Sequence, residues 1–132
     1  MQYVNSKRLN DSAGVAITNE AVANGVTLKS EILPVDKNVG FMSLLVTENK
    51  VGAGGNVGVY ATYSMDGVNF YRPYTTDLAG NITQEGNIVT GLTNTTRLIV
   101  FTARLANFVQ LNFVAAADSA VTADLAYQES DQ

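Results

Sequence analysis

Apolar and polar residues alternate along most of this chain with a period of two, the repeat of a β-strand that buries one face. The clearest case is residues 57–64, where Val57, Val59, Ala61 and Tyr63 share one face and Tyr60, Thr62 and Ser64 the other. This strand runs into Asp66-Gly67, a turn dipeptide whose glycine takes a positive φ at little cost. Residues 69–74 are the expected hairpin partner, with Pro73 marking an edge or a strand end. Residues 108–114 direct Val109, Leu111 and Phe113 inward and Gln110 and Asn112 outward. After a turn at Ala117-Asp118-Ser119, Val121, Ala123, Leu125 and Tyr127 alternate with Thr122, Asp124, Ala126 and Gln128. Residues 15–18 and 26–33 alternate in part and read as two strands separated by the turn pair Asn24-Gly25. Pro34 ends the second, and residues 37–40 make a further turn.

Two segments depart from strict alternation. Residues 41–47 form a nearly continuous apolar run, as in a central strand covered on both faces, although a short buried helix has the same pattern. Residues 96–102 are likewise apolar on both faces at their centre. Between the strands, residues 48–56 hold three glycines and read as a flexible connection. They do not make a phosphate cradle, which needs Lys-Ser/Thr after the last glycine and then a helix, whereas here a strand follows. Residues 75–91 alternate turn chemistry with short apolar pieces such as Ile88-Val89, a long surface connection carrying one or two short strands. Roughly seven to nine short strands at about ten-residue spacing predict an all-β protein, an antiparallel two-sheet β-sandwich of jelly-roll type. Leu28, Leu45, Val59, Ile99, Phe101, Leu111, Phe113 and Leu125 are the expected core.

At 132 residues the chain is long enough for one core. Residues 13–132 are expected to be a single sandwich domain, with residues 1–12 a candidate N-terminal arm or a frayed terminus. Charged residues make up 15% of the chain, against roughly 25% in a typical soluble domain. Asn, Thr, Ser, Gln and Gly must therefore cover the surface, a composition common in proteins that live in assemblies. The net charge is −4, and Lys7, Arg8, Lys29, Lys37, Lys50, Arg72, Arg97 and Arg104 are scattered, which argues against a nucleic-acid partner. No apolar run approaches the ~18 residues of a membrane span, and the first residues lack the pattern of a secretory signal. The N-x-S/T matches at Asn10, Asn81 and Asn94 then read as turns.

Absent residue types narrow the chemistry further. Without cysteine there are no disulfides, thiolate metal sites or cysteine nucleophiles, and without histidine the usual general base near neutral pH is missing. Carboxylate pairs could still act as acid and base. Asp66, Asp77, Glu85, Asp118 and Asp124 were weighed for that role, but each reads as a turn former or a solvated strand residue. No catalytic residue, cofactor or metal is predicted. A calcium site built from loop Asp and Asn is conceivable in such turns, though no EF-hand spacing supports it.

Residues 63–70, Tyr-Ser-Met-Asp-Gly-Val-Asn-Phe, resemble the "YS-x-DG-x-N-F/W" hairpin of discoidin-type jelly rolls and of small β-sandwich proteins of tailed bacteriophages. Residues 103–112 resemble the "A-R-Y-V-R-L" strand of the same proteins, with Phe108 at the aromatic position. Residues 121–128 resemble their closing "V-x-x-x-L-A-x-Q". The resemblance spans about half the chain, from Val57 onward. It implies a virion structural protein, most specifically a capsid decoration or cement protein. Its partners would be the major capsid protein or another virion protein, and further copies of itself, a trimer being favoured. It departs from the pattern where Gln110 replaces an arginine and where no tryptophan follows Asp-Gly, which weakens a carbohydrate-binding reading.

Tyr60, Tyr71, Arg72 and Tyr74, near the hairpin, are the candidate interface residues. Aromatic side chains with arginine anchor protein interfaces, stack on sugars, or simply complete a core. Two function classes follow: a non-enzymatic virion structural protein, on the head or as a tail accessory subunit, and a module binding carbohydrate or another surface ligand.

Overall fold

The computed structural model describes residues 2–35, 41–50, 54–102 and 106–130. The turn expected at 37–40 and the start of the 103–112 segment lie outside them. The strands are β1 (Gln2–Arg8), β2 (Glu20–Val22), β3 (Thr27–Lys29), β4 (Leu33–Pro34), β5 (Phe41–Glu48) and β6 (Asn56–Ser64). They continue with β7 (Tyr74–Thr76), β8 (Ile82–Gln84), β9 (Val89–Leu92), β10 (Thr95–Thr102), β11 (Phe108–Ala117) and β12 (Ser119–Ser130). There is no helix among the described residues.

The strands form two antiparallel sheets that enclose the core. One runs β1-β12-β5-β10 with β2 added on β12, and the other β3-β11-β6-β9 with β4 added on β11. Successive long strands change sheet, and the last two insert between earlier ones, the interleaved Greek keys of a jelly roll. A separate hairpin, β7-β8, interrupts the path from β6 to β9. Residues 2–8 of the segment read as a candidate arm form β1, which runs antiparallel to β12 from Gln2↔Ser130 to Arg8↔Asp124.

Alternation places the core where periodicity put it. Val57, Val59 and Ala61 from β6 meet Val109, Leu111, Phe113 and Ala115 from β11, and the opposite sheet supplies Met42, Leu44, Val46, Val121, Ala123 and Leu125. Side chains buried this completely contribute about 1.5–3 kcal/mol each. Leu9 and Ile17 also enter the core from irregular chain, and Val22 from β2.

Several expectations change. Residues 15–18 are not a strand: only Ala16 bridges, to Asn10, and Val15 is exposed. The expected strand 26–33 splits into β3 and β4: the Ser30 N–H still donates to the Leu111 carbonyl, but the Leu111 N–H goes to the Ser30 hydroxyl, and residues 30–32 oppose only 110 and 111. The Asn24-Gly25 turn exists, with Gly25 at φ 80, yet β2 pairs with β12 and β3 with β11. It is a crossing between sheets, not a hairpin. Leu45 is not core: the β5 residues Met42, Leu44, Val46 and Glu48 point inward, and Leu45 is 39% exposed on the outer face. Ile99, Phe101 and Leu28 pack against the core without being fully buried. Gln110 and Asn112 point away from the core as expected but are buried nonetheless, Gln110 donating to the Ser30 carbonyl and Asn112 to Thr62 and the Tyr60 carbonyl.

Candidate functional site

The candidate site grows from the turn after β6. Ser64, the last residue of that strand, is buried, and its hydroxyl accepts from the backbone N–H of Asp66 and Gly67 while donating to the Asp66 carboxylate. The Asp66 carboxylate in turn accepts from the N–H of Val68 and Asn69 and from the Asn69 side-chain amide. These bonds, led by those from the Asn69 and Val68 backbone, hold its carboxyl well below the ordinary carboxylate range. Gly67 sits at φ 78, and a Cβ there would lie 3.2 Å from the Phe108 ring. The Ser-x-Asp-Gly-x-Asn motif is thus a closed turn whose polar atoms serve one another, Asp66 Oδ1 taking three donors and Oδ2 the Asn69 amide.

Beyond the turn, Tyr71 and Tyr63 exchange backbone hydrogen bonds of 2.9 Å in each direction. This single bridge replaces the hairpin strand expected at 69–74; Pro73 cannot donate, and the chain leaves the sheet for β7. The departure is fixed by Arg72. Its guanidinium lies 4.1 Å above the Tyr60 ring, its Nε donates to the Glu85 carbonyl at 2.7 Å, and its Nη2 donates to Asn87 Oδ1 at 3.0 Å. Gly58 makes room for this clamp, since a Cβ there would come within 2.7 Å of the Asn87 amide nitrogen.

The clamp fastens the base of the β7-β8 hairpin, which stands off the sandwich. It pairs Tyr74↔Gln84, Thr75↔Thr83 and Thr76↔Ile82, and every one of these residues is exposed. Antiparallel pairing puts Tyr74, Thr76, Ile82 and Gln84 on one face, with Tyr74 63% and Ile82 71% exposed. At the tip, Asp77 accepts from the N–H of Ala79 and Asn81 and from the Asn81 amide, and Leu78 is fully exposed. The structure therefore divides the four predicted residues. Tyr60 and Arg72 are brought together as the clamp, whereas Tyr71 and Tyr74 present their rings to solvent beside and on the hairpin. Leu78 and Ile82, in the segment expected to be a surface connection, are exposed on the same hairpin.

The remaining carboxylates do not assemble a catalytic pair from the five weighed in the sequence. Asp118 accepts from the Asn24 N–H and lies 3.7 Å from Lys50, which together lower its pKa. Asp124 pairs with Arg8. The Glu85 backbone serves the hairpin, its N–H donating to the Pro73 carbonyl. An acid pair the sequence did not single out does exist, Asp11 with Glu20 of β2. Asp11 is buried and accepts from the N–H of Ala13 and Val15. Burial, a hydrogen bond to Asp11 and the Asp11 charge push Glu20 up to about 7, and the same hydrogen bond draws Asp11 down. These influences favour a protonated Glu20 beside an ionised Asp11, and Glu20 Oε2 is buried without a hydrogen-bond partner among the described residues. No group of three or more metal-holding side chains occurs among the described residues. A shallow hollow beside β2 is lined largely by Ala21, Ala23, Ala120 and the Lys50–Asp118 pair, and it does not include Asp11 or Glu20.

No family model matches the chain, and no curated protein matches it. Among solved structures, it is similar to the D431N mutant VP2 protein of infectious bursal disease virus in derived T=1 particles, with a TM-score of 0.53 at 11% identity over 97% of this chain. The Gx strain of that virus gives 0.47 at 14% identity, and dimeric latent PorU from Porphyromonas gingivalis gives 0.44 at 12%. The chain spans 32% of the length of each of the two viral proteins. What the VP2 likeness carries is the fold: a β-sandwich that also occurs as part of a larger protein of virus particles.

Proposed function

We propose that this protein is a non-enzymatic structural component of a virion, a decoration or cement protein that binds the major capsid protein or a neighbouring shell protein. The reading is carried by one observation: a hairpin clamped at its base by Arg72 holds Tyr74, Ile82 and Leu78 away from the body, exposed and unpacked. A lone two-stranded hairpin is marginal in water, so one that carries exposed Tyr74, Leu78 and Ile82 clear of its own domain is a surface that a partner would complete. The fold likeness to VP2 and the resemblance of the hairpin and strand motifs to those of phage sandwiches support the same reading. Its mechanism is interfacial: copies bind across adjacent shell subunits and gain from avidity.

The test is co-sedimentation with shells of the virus that encodes the chain, comparing wild type with Tyr74→Asp/Ile82→Asp. Binding weakened at least ~10-fold at an unchanged melting temperature is expected, since each apolar anchor lost from an interface costs about 1 kcal/mol or more. Undiminished shell binding by the variant, or retention on a glycan support with no shell binding, overturns the proposal.

A further inference from the structure

The free edge of β10 differs from the other sheet edges. Isolated edge strands are usually short, charged or broken by proline or bulges, because their unpaired N–H and C=O groups template association. The β3/β4 edge is two short pieces carrying Lys29 and Pro34, β9 is four residues long with a register shift, and β1 ends in Lys7-Arg8. By contrast, β10 is eight residues long, pairs with β5 in unbroken register from Thr95↔Glu48 to Thr102↔Phe41, and has Arg97 as its one charge. Among the described residues, no backbone hydrogen bond reaches it from any element other than β5. Its outer face is apolar: Leu98 is 67% and Val100 62% exposed, and Leu45, directly opposite Leu98, is 39% exposed.

We infer that β10 is an interface for a second copy of this chain, the two β10 strands pairing antiparallel about a two-fold axis through Ile99 and joining the sheets into one continuous sheet. The occupant follows from self-complementarity. In a symmetric antiparallel pair, facing residues lie on the same side of the sheet, so their numbers must sum to an even value. Centring on Ile99 sets Leu98 of each copy against Val100 of the other, so that all four exposed side chains meet, with the two Leu45 side chains flanking them. It also sets Arg97 against Phe101 and not against its own copy. Centring on Leu98 leaves Val100 facing Thr96, and centring on Val100 leaves Leu98 facing position 102. Only the Ile99 register sets both exposed apolar side chains of β10 against apolar partners. The contact involves about eight residues per copy, against the ~20–30 of a standard interface, which places it among weak, reversible associations. It stands whether or not the protein belongs to a virion.

Sedimentation velocity of the whole chain from about 1 to 200 µM tests this, together with Leu98→Lys/Val100→Lys and, as a control on the hairpin tip, Leu78→Lys. Wild type and L78K are expected to pass from monomer to dimer, and the double lysine variant to stay monomeric with unchanged circular dichroism. Register is read by cysteine cross-linking, since the chain has no cysteine of its own. Under mild oxidation Leu98→Cys/Val100→Cys gives covalent dimer, and neither single variant does. A wild type monomeric at 200 µM, a trimer, a dimer indifferent to the lysines, or a dimer cross-linked by L98C alone would each overturn the proposal.

Discussion

Glu48 offers the sharpest test of how this sandwich is held together. It closes β5 on the inward face, in line with Met42, Leu44 and Val46, and it is wholly buried. Its Oε1 accepts from the Asn94 N–H at 2.9 Å, and its Oε2 accepts from the N–H of Lys50 and Ala120 at 3.2 Å each. One carboxyl therefore ties the end of its own strand to the β9-β10 and β11-β12 connections, which are far apart in sequence. Replacing Glu48 by Ala leaves three inward-facing N–H groups without an acceptor. At about 1–3 kcal/mol for each buried donor left unpaired, and with partial relief as the connections relax towards water, the loss is about 3–5 kcal/mol. With an unfolding entropy of about 2.1 cal/mol/K per residue, that lowers the melting temperature by roughly 10–18 °C.

Calorimetry of wild type and E48A measures that shift, and native-state hydrogen exchange should show the amides of Lys50, Asn94 and Ala120 losing protection together. The neighbouring glycine supplies an internal control. A Cβ at Gly55 would fall within 2.5 Å of the Glu48 carboxyl carbon and 2.7 Å of the Ser119 hydroxyl, so Gly55→Ala should destabilise wild type and cost less in the E48A background, where only the Ser119 contact remains. An E48A protein melting within about 3 °C of wild type, or fully additive effects of the two substitutions, would refute the assignment of Glu48 as the tie between these loops.

Two further predictions rest on local groups. Because Glu20 holds its proton to about pH 7 when folded, against an ordinary value of 4.5, the native state binds the extra proton between those values and stability must fall as pH rises through that window. Partial exposure limits the loss to about 1–2 kcal/mol, and since no histidine titrates there, Glu20→Gln should give a flat melting profile from pH 5 to 8; an equal slope in both proteins would disprove the raised titration of Glu20. Gly67→Ala combines a positive φ with a contact on the Phe108 ring and is expected to lower stability by about 1–3 kcal/mol in urea unfolding, an unchanged midpoint being the contrary result.

Much of this architecture is legible in the sequence because one face of each long strand is buried. Val57, Val59, Val109, Leu111, Phe113, Val121, Ala123 and Leu125 follow the two-residue period and lie in the core. Reading failed where the chain is held by side chains and not by a ladder. Ile17 and Leu9 are fully buried from irregular segments, in which no period announces them. Nor does any local pattern announce that Asn24-Gly25 joins different sheets, or that Asp11 meets Glu20. Glu48 did carry a signal: it continues the inward parity of Met42, Leu44 and Val46, and the glycines after it mark its close approach to Gly55. At the candidate site, Tyr60, Arg72 and Tyr74 could be named from composition, but the division between clamp and display depends on contacts with Glu85 and Asn87, which sequence spacing does not encode.

The misreading of β5 and β10 is informative in a different way. Their residues read as strands covered on both faces, yet in the single chain the second face is open and Leu45, Leu98 and Val100 meet water. Periodicity reports the environment in which a residue is buried, and it does not distinguish burial within a chain from burial between chains. An apolar residue set on both sides of a strand is therefore compatible with burial of either kind, and the pattern alone does not choose between them. The tyrosine-bearing hairpin adds a second apolar surface held clear of the body. Two such surfaces on one small domain, one an unprotected strand edge and the other a clamped projection, fit a protein that meets its own copy at one place and a different partner at the other.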